Sequence, residues 1–166
     1  MKTILCEKLP RITKNKKRLE KLLNVKITNR GKEVSIEGKP EDEYTAEKVI
    51  DALNFGFPFS NAIQIKEKDC TFEILSIKDH TKRTDFKRIR ARIIGTKGKT
   101  LQTLHQLTKC YFELNDNFVG IIGEPEYIEN AQQAIISIIK GSKQINVYNF
   151  LEKHQVKEPV DLGLKK

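Results

Sequence analysis

The apolar and polar residues over positions 71–108 are arranged in a way that predicts a strand followed by two helices. Residues 71–77 alternate between apolar and polar side chains as a half-buried strand does, and residues 84–94 form a basic segment with helical spacing. Leu101, Leu104 and Leu107 recur every three residues and therefore form one stripe along a further helix. A glycine-containing turn separates the two predicted helices.

Two short strands and a long helix complete this unit. Residues 110–115 and 117–122 are predicted strands joined by a polar turn around Asp116. Pro125 lies between two glutamates, which suits the first turn of a helix. The apolar face of this helix comprises Ile128, Ala131, Ile135 and Ile138. Gly141 ends it, so the predicted order is β-α-α-β-β-α.

The chain repeats this pattern at a fixed offset of 85 residues. Residues 34–41 (VSIEGKPE) align with residues 119–126 (VGIIGEPE) without a gap. Apolar positions match on both sides of this segment, with Leu19, Leu22, Ile27, Ala46, Val49, Ile50 and Leu53 falling on Leu104, Leu107, Phe112, Ala131, Ala134, Ile135 and Ile138. The shared spacing indicates a duplicated unit.

The first copy is shorter than the second. Only nine residues precede the position equivalent to Gly95, which leaves room for a strand near residues 3–8 but not for a strand plus a helix. The predicted order of the first unit is therefore β-α-β-β-α. Residues 60–66 are predicted to add a short helical turn, the apolar residues of 147–151 need a packing partner, and residues 156–166 are predicted as a loose tail.

Basic side chains are concentrated in two blocks. The chain of 166 residues carries 31 Lys and Arg against 22 Asp and Glu, a net charge of +9. Residues 8–32 and 78–109 hold +9 and +8 of it, while the remainder sums to −8. Such blocks favour polyanion-binding faces, although a solvated helix face is the alternative for each. Four of the seven arginines lie at positions 83, 88, 90 and 92, and arginine is suited to forked phosphate contacts.

Several classes of protein fit the sequence poorly. No apolar run approaches the ~18 residues of a membrane-spanning helix and no secretory signal is evident, so we expect a soluble, intracellular protein without a membrane role. Cys6, Cys70 and Cys110 have no metal-ligand or disulfide spacing, and the three histidines are scattered. We therefore predict no metal, no cofactor, no catalytic residues and no enzymatic activity.

The segment Arg92–Leu101 (RIIGTKGKTL) contains the central motif. A GxxG turn between two helices lets the backbone approach a ligand closely at Gly95 and Gly98, and the free N–H groups of the next helix favour phosphate. Motifs for nucleotide hydrolysis fit less well, because a P-loop needs GxxxxGK[ST] after a strand and no GxGxxG is present. The flanking Ile93 and Ile94, the basic neighbours and the following β-β-α strengthen the interpretation as a nucleic-acid loop.

This combination resembles a type I KH domain, a module that binds single-stranded nucleic acid. Residues 54–60 (NFGFPFS), residues 87–95 (KRIRARIIG) and Gly141 followed by residues 147–152 (VYNFLE) are similar to a family of archaeal and eukaryotic two-KH ribosome-assembly factors, the partner of the Nob endonuclease, also called Dim-two. The resemblance implies RNA binding near the 3′ end of the small-subunit pre-rRNA. It also implies the Nob-type endonuclease and the rRNA dimethyltransferase as partners.

The predicted fold class is α+β, with two KH-like domains whose three-stranded sheets are packed by helices. We expect a degenerate first domain over residues 1–66, the KH domain with the GxxG loop over residues 71–152, and a tail over residues 153–166. In the first domain Pro10 and Thr13 stand where the second has Gly95 and Gly98, so the phosphate cradle is predicted to be lost there.

The predicted RNA-binding residues surround the GxxG loop of the second unit. They are Arg88, Arg92, Ile94, Gly95, Thr96, Lys97, Gly98, Lys99, Thr100 and Leu101. Arg88 and Arg92 are four residues apart, hence on one helix face, and are interpreted as clamps on the RNA backbone. By the resemblance, Ile94 lies at the floor of the binding groove and bases lie against the strand at residues 111–114. Further candidates for backbone contact are Lys14, Lys17, Arg18, Lys87 and Arg90.

Two other functions fit the residues as well. A general KH regulator of mRNA, or a subunit of a degradation complex, would share the loop but bind scattered single-stranded targets. A protein-docking scaffold would use the glycine-free first unit and the apolar residues of 147–151 as contact surfaces. The oligomeric state is left open by the sequence.

Overall fold

The computed structural model describes residues 1–155, so the predicted tail over residues 156–166 lies outside the described residues. The first half contains three strands and five helices. The strands are β1 (Lys2–Leu5), β2 (Lys26–Arg30) and β3 (Glu33–Glu37). The helices are α1 (Leu9–Thr13), α2 (Lys16–Leu23), α3 (Pro40–Phe55), α4 (Phe59–Ala62) and α5 (Gln64–Glu67).

The second half contains three strands and four α-helices within the described residues. The strands are β4 (Thr71–Ser76), β5 (Tyr111–Asn115) and β6 (Phe118–Gly123). The helices are α6 (Phe86–Ile94), α7 (Lys99–Thr108), α8 (Pro125–Ile139) and α9 (Gln144–Lys153). The strands form two antiparallel sheets with the orders β1-β3-β2 and β4-β6-β5, each packed by helices, which confirms the predicted fold class.

The two sheets share a strand register that reproduces the sequence repeat. Ile27 pairs with Ile36 across β2 and β3, and Phe112 pairs with Ile121 across β5 and β6. Both positions of the second pair follow those of the first by 85 residues. The repeat therefore extends from the apolar pattern to the backbone pairing.

The first strands break this offset. Lys2 of β1 pairs with Ile36, whereas Glu73 of β4 pairs with Ile121, so these strands are 71 rather than 85 positions apart. The first unit accordingly lacks 14 residues between its first strand and the helices that follow.

A short helix nevertheless fits into this segment, so the predicted order β-α-β-β-α was wrong for the first unit. Helix α1 has five residues, too few to show a helical period in the sequence. Pro10 lies in its first turn, where proline is tolerated, and Ile12 is buried. Arg11 donates from Nη1 to the Phe57 carbonyl at 3.0 Å. The first unit therefore has a docked helix at the positions where the second unit has its glycine loop.

The second sheet packs on both of its faces. Val119 and Ile121 of β6 belong to the core beneath α6, α7, α8 and α9, whereas Ile122 belongs to the core of the first unit. Successive strand residues point to opposite faces, so the alternation along β6 separates the two cores. Val147 and Leu151 of α9 are buried in the second core, which provides the partner that the apolar residues of this segment were expected to need.

Aromatic rings line the contact between the two units. Phe72 of β4 meets Phe55 and Phe57 edge to face, with ring centroids 5.9 and 5.7 Å apart. Gly120 allows this approach, since a Cβ there would lie 2.7 Å from the Phe55 ring. Asn115 Nδ2 donates to the Phe55 carbonyl at 2.8 Å. The inner face of the second sheet is thus covered, and its helices and glycine loop lie on the other side.

No helix within residues 1–155 is long and apolar enough to cross a membrane.

Candidate nucleic-acid interface

The glycine loop connects α6 to α7 through three residues with positive φ. The Gly95 N–H donates to the Ala91 carbonyl at 2.8 Å and ends α6, with Gly95 at φ 77° and ψ 171°. Lys97 follows at φ 55°, and Gly98 at φ 75° precedes the first residue of α7. Only glycine adopts the conformation of Gly95 readily, so the loop shape depends on this residue.

Thr100 supports the loop from behind. A Cβ at Gly95 would lie 2.7 Å from both the Cβ and the backbone nitrogen of Thr100, a distance that real side chains do not reach. Thr100 is only 6% exposed. The structure therefore places the Thr100 side chain beneath the loop, whereas the sequence predicted a phosphate contact for it. Around Gly98, by contrast, a Cβ would meet no atom within 4 Å.

The tip of the loop is exposed and positively charged. Thr96, Lys97 and Lys99 are all exposed. The ten-residue helix α7 begins directly behind them, and the amino end of a helix adds a partial positive charge and free N–H groups. The loop tip therefore combines backbone donors with two lysines, as a phosphate-binding loop requires.

Arg88 and Arg92 face the same side of α6, as their spacing predicted, but they are used differently. The Arg92 guanidinium donates from Nη1 to the Ile138 carbonyl at 3.1 Å and from Nη2 to the Ser142 carbonyl at 2.6 Å. These carbonyls lie at and just beyond the end of α8, so Arg92 ties α6 to the α8–α9 turn. Arg88 is exposed and donates no hydrogen bond to any residue of the described chain. Of the two, Arg88 has the freer guanidinium.

The other two arginines of the cluster are also engaged. Arg83 forms a forked contact with Asp85, from Nε at 3.1 Å and from Nη2 at 2.7 Å. The hydrogen bond from Arg83 lowers the pKa of the Asp85 carboxyl. Arg90 turns to the other side of α6 and donates to Asn117 Oδ1 at 2.6 Å, in the β5–β6 turn. The cluster therefore does not form one continuous cationic patch.

A groove of about 550 Å³ opens on the side of the loop that faces α9. We call it the α9 groove. Of the predicted site residues it brings together Arg88, Arg92, Gly95, Thr96, Lys99 and Thr100. The sequence analysis missed its other lining residues, Ala91, Thr103, Gln144 and Tyr148. The four-residue spacing of Gln144 and Tyr148, which share one face of α9, is the only sequence signal for them.

The opposite side of the loop faces β5 and carries the remaining predicted residues. Ile94 is 38% exposed there, and Leu101 is half-buried against the second core. Tyr111 of β5 stacks on His105 of α7, with ring centroids 5.0 Å apart. Lys87 is exposed and lies seven residues, or two turns, before Ile94. The glycine loop thus separates a β5 face from the α9 groove, and the predicted site is divided between them.

The predicted residues of the first unit lie on a separate basic surface. Lys14, Lys17 and Arg18 are exposed around the start of α2. The Arg18 guanidinium carbon lies 4.1 Å from the centroid of the Phe59 ring, so this arginine is held by a cation–π contact. The surface belongs to the unit without a glycine loop and therefore offers charge without a cradle for phosphate.

A comparison with protein families identifies the second unit. Residues 71–156 match the family model of the second KH domain of PNO1, described as a eukaryotic-type KH domain, KH-domain type I. A KH domain-containing protein of Methanocaldococcus jannaschii is 27% identical over 149 residues, which is 86% of this chain and 66% of the relative. The pre-rRNA-processing protein pno1 of Aspergillus oryzae is 30% identical over 111 residues, covering 64% of this chain and 43% of the relative. The chain thus spans between about two fifths and two thirds of these curated relatives.

Solved structures share the arrangement of the whole chain. Dim2p from Pyrococcus horikoshii superposes with a TM-score of 0.85 at 27% identity, covering 92% of this chain and 98% of that one. The chain of an a/eIF2alpha–aDim2p–rRNA complex from the same organism superposes with a TM-score of 0.82 at 28% identity, covering 92% of each chain. The predicted family resemblance is confirmed by these matches.

Proposed function

The chain belongs to the PNO1/Dim2 family of KH-domain proteins, and on that premise we propose that it is a non-enzymatic RNA-binding factor in the maturation of small-subunit rRNA. It binds single-stranded RNA near the 3′ end of the pre-rRNA through the glycine loop of its second unit. The RNA backbone crosses the loop at Gly95–Gly98, and bases lie against β5.

The exposed loop between α6 and α7 is the observation that carries this proposal. Three successive features favour phosphate there: the strained Gly95, the left-handed Lys97–Gly98 pair and the amino end of α7. Lys97 and Lys99 add charge without an acidic residue in the loop. The aligned segment of the first unit is a helix with a buried Ile12, which supports assigning the RNA strand to the second unit alone.

The relatives favour rRNA over the other targets that the sequence left open. The fungal relatives are named for pre-rRNA processing, and one structural neighbour was solved in a complex with rRNA. A general mRNA regulator and a pure docking scaffold have no comparable support. The proposal also includes the Nob-type endonuclease and the rRNA dimethyltransferase as partners, which the family resemblance alone supports. The place of action follows as the cytoplasm, with the nucleolus added in a eukaryote.

A binding titration tests the proposal directly. The RNA matches the 3′ end of the organism's small-subunit rRNA, and a scrambled RNA of equal length is the competitor. We expect preferential binding to the rRNA sequence, and we expect Thr96→Asp/Lys97→Asp to abolish it because the new carboxylates repel phosphate. This variant is preferable to substitution of Gly95, which would also distort the loop.

A matched variant separates this effect from a general loss of positive charge. Ser60→Asp/Lys66→Asp removes the same three units of net charge at exposed positions of the first unit. It should retain the preference for the rRNA sequence. Equal binding of both RNAs by the wild type would contradict the proposed target, and full binding by the loop variant would contradict the proposed site.

A further inference from the structure

The α9 groove lies beside the glycine loop but on the side away from β5. Gly95 and Thr96 form the rim that it shares with the loop, and α9 forms its far wall. An RNA backbone that crosses the loop tip from the β5 face therefore leads directly to this groove. Its volume of about 550 Å³ is in the usual range for a small-ligand site.

The groove is cationic and has free charges. Its lining includes Arg88, Arg92 and Lys99 and no acidic side chain. Arg92 is committed to the Ile138 and Ser142 carbonyls, but neither Arg88 nor Lys99 donates a side-chain hydrogen bond within residues 1–155. These two side chains stand on either side of the loop in sequence and reach the groove from α6 and α7. They are placed to contact phosphate.

Tyr148 supplies an aromatic surface on the far wall. Part of the ring packs against the second core, which fixes its position, and part lines the groove. Gln144 lies one turn earlier on α9, and its Nε2 makes only a long 3.5 Å contact with the Arg92 carbonyl. A fixed aromatic ring beside free cations is the combination with which proteins hold single-stranded nucleic acid. An amide next to it can hydrogen-bond a base edge.

We propose that the α9 groove binds one nucleotide of single-stranded RNA that flanks the segment held by the loop and β5. Its phosphate contacts Arg88 and Lys99, and its base stacks on Tyr148. The inference rests on the proposed function, because it requires an RNA strand on the glycine loop. It extends the bound segment beyond the about four nucleotides that a KH loop clamps.

A length series of RNAs tests the extra nucleotide. RNAs of four to eight nucleotides from the 3′-end sequence, lengthened at either end, are titrated against the full chain. At the length that reaches the groove we expect the affinity of the wild type to rise about tenfold, the typical effect of one base stacked on an aromatic ring. The slope of log K against log salt should steepen by about 0.7 for the added phosphate.

Groove variants decide whether this gain comes from the α9 groove. In Arg88→Ala and in Tyr148→Leu the gain from lengthening should be lost, measured in each variant against its own four-nucleotide RNA. Tyr148→Leu keeps an apolar side chain against the core, so its fold is retained, and Tyr148→Phe should restore the gain. Lys140→Ala and Tyr44→Ala remove an exposed cation and an exposed ring elsewhere and should keep it.

The possible failures can be told apart. A wild type that binds four nucleotides through its loop but gains nothing from longer RNA would overturn the inference alone. A gain that persists in Arg88→Ala and Tyr148→Leu would overturn it too, since the extra nucleotide would lie elsewhere. If Thr96→Asp/Lys97→Asp does not affect binding at any length, the proposed function fails first and the inference falls with it.

Discussion

Thr100 packs so closely beneath Gly95 that a Cβ at position 95 would lie 2.7 Å from the Thr100 Cβ. The contact joins the end of α6 to the first turn of α7 and sets the direction in which the loop leaves the helix. The two glycines of the motif therefore have different constraints. Gly95 is limited by its conformation and by a neighbour, whereas Gly98 is limited only by its positive φ.

This difference predicts unequal effects of substitution. Gly95→Ala should lower the free energy of unfolding by at least about 1–3 kcal/mol, the usual cost of one strained backbone position. Gly98→Asn should cost less than about 1 kcal/mol, because asparagine tolerates the left-handed conformation and the site is open. Urea denaturation of both variants measures the two values. Equal losses would show that Thr100 does not restrict the loop.

Arg88 and Arg92 should also separate, although they share a helix face. Arg92→Ala should cost about 1.5–3 kcal/mol of stability, the range for hydrogen bonds to a charged group, because two carbonyls lose their donor. Arg88→Ala should change stability by less than about 0.5 kcal/mol, as is usual for exposed side chains. It should instead make the salt dependence of RNA binding shallower by about 0.7. Denaturation and salt titration of both variants give four numbers, and the reverse pattern would refute the assignment.

The basic surface around α2 predicts a second electrostatic contribution when the RNA contains a duplex. Four to six phosphate contacts by the second unit give a slope of about −3 to −4 for short single-stranded RNA. Joining a duplex to that RNA should steepen the slope, because Lys14 and Lys17 are exposed and contact phosphate without reading bases. Lys14→Gln/Lys17→Gln should then remove about 1.8 from it, at about 0.9 per phosphate of a duplex. An unchanged slope would leave this surface without a role in RNA binding.

The buried cysteines predict a loss of stability at alkaline pH. Burial raises the pKa of the Cys6 thiol to about 11 and that of Cys110 to about 12. Both thiols stay protonated in the folded chain, while in the unfolded chain they ionise near their ordinary value of 9.0. The free energy of unfolding should therefore fall as the pH rises above 9, up to about 11–12.

Alkylation and denaturation check this prediction together. At pH 8.5 iodoacetamide should modify Cys6 and Cys110 only as fast as the chain opens, which mass spectrometry follows site by site. Cys6→Ala/Cys110→Ala should show a shallower decline of stability between pH 8 and pH 10 than the wild type does. Rapid alkylation of the native chain would show that these thiols are accessible.

The elements that carry the site were predictable because their signals are local. The strand at residues 71–77, the two strands around Asp116 and the helix opened by Pro125 each follow from residues within a few positions of one another, and the structure places them within one or two residues of the prediction. The GxxG loop was likewise legible, since its two glycines are adjacent in sequence. Helix α1 was not, because five residues do not show a period.

The use of the individual side chains was not predictable in the same way. Spacing placed Arg88 and Arg92 together, but nothing near them in sequence indicates that Arg92 would meet the Ile138 and Ser142 carbonyls. Arg90 likewise finds Asn117, 27 residues later. Each arginine is equally charged in the sequence, and only its partners distinguish a structural residue from a free one.

The order of the amino acids was thus sufficient for the family, the duplicated frame and the glycine loop, because these depend on short-range periodicity and on a compact motif. The division of the site into a β5 face and an α9 groove came from folding, since Tyr148 reaches the loop only when α9 packs its Val147 and Leu151 into the second core. That packing brings together residues 60 positions apart, and burial of apolar surface, rather than any local pattern, drives it.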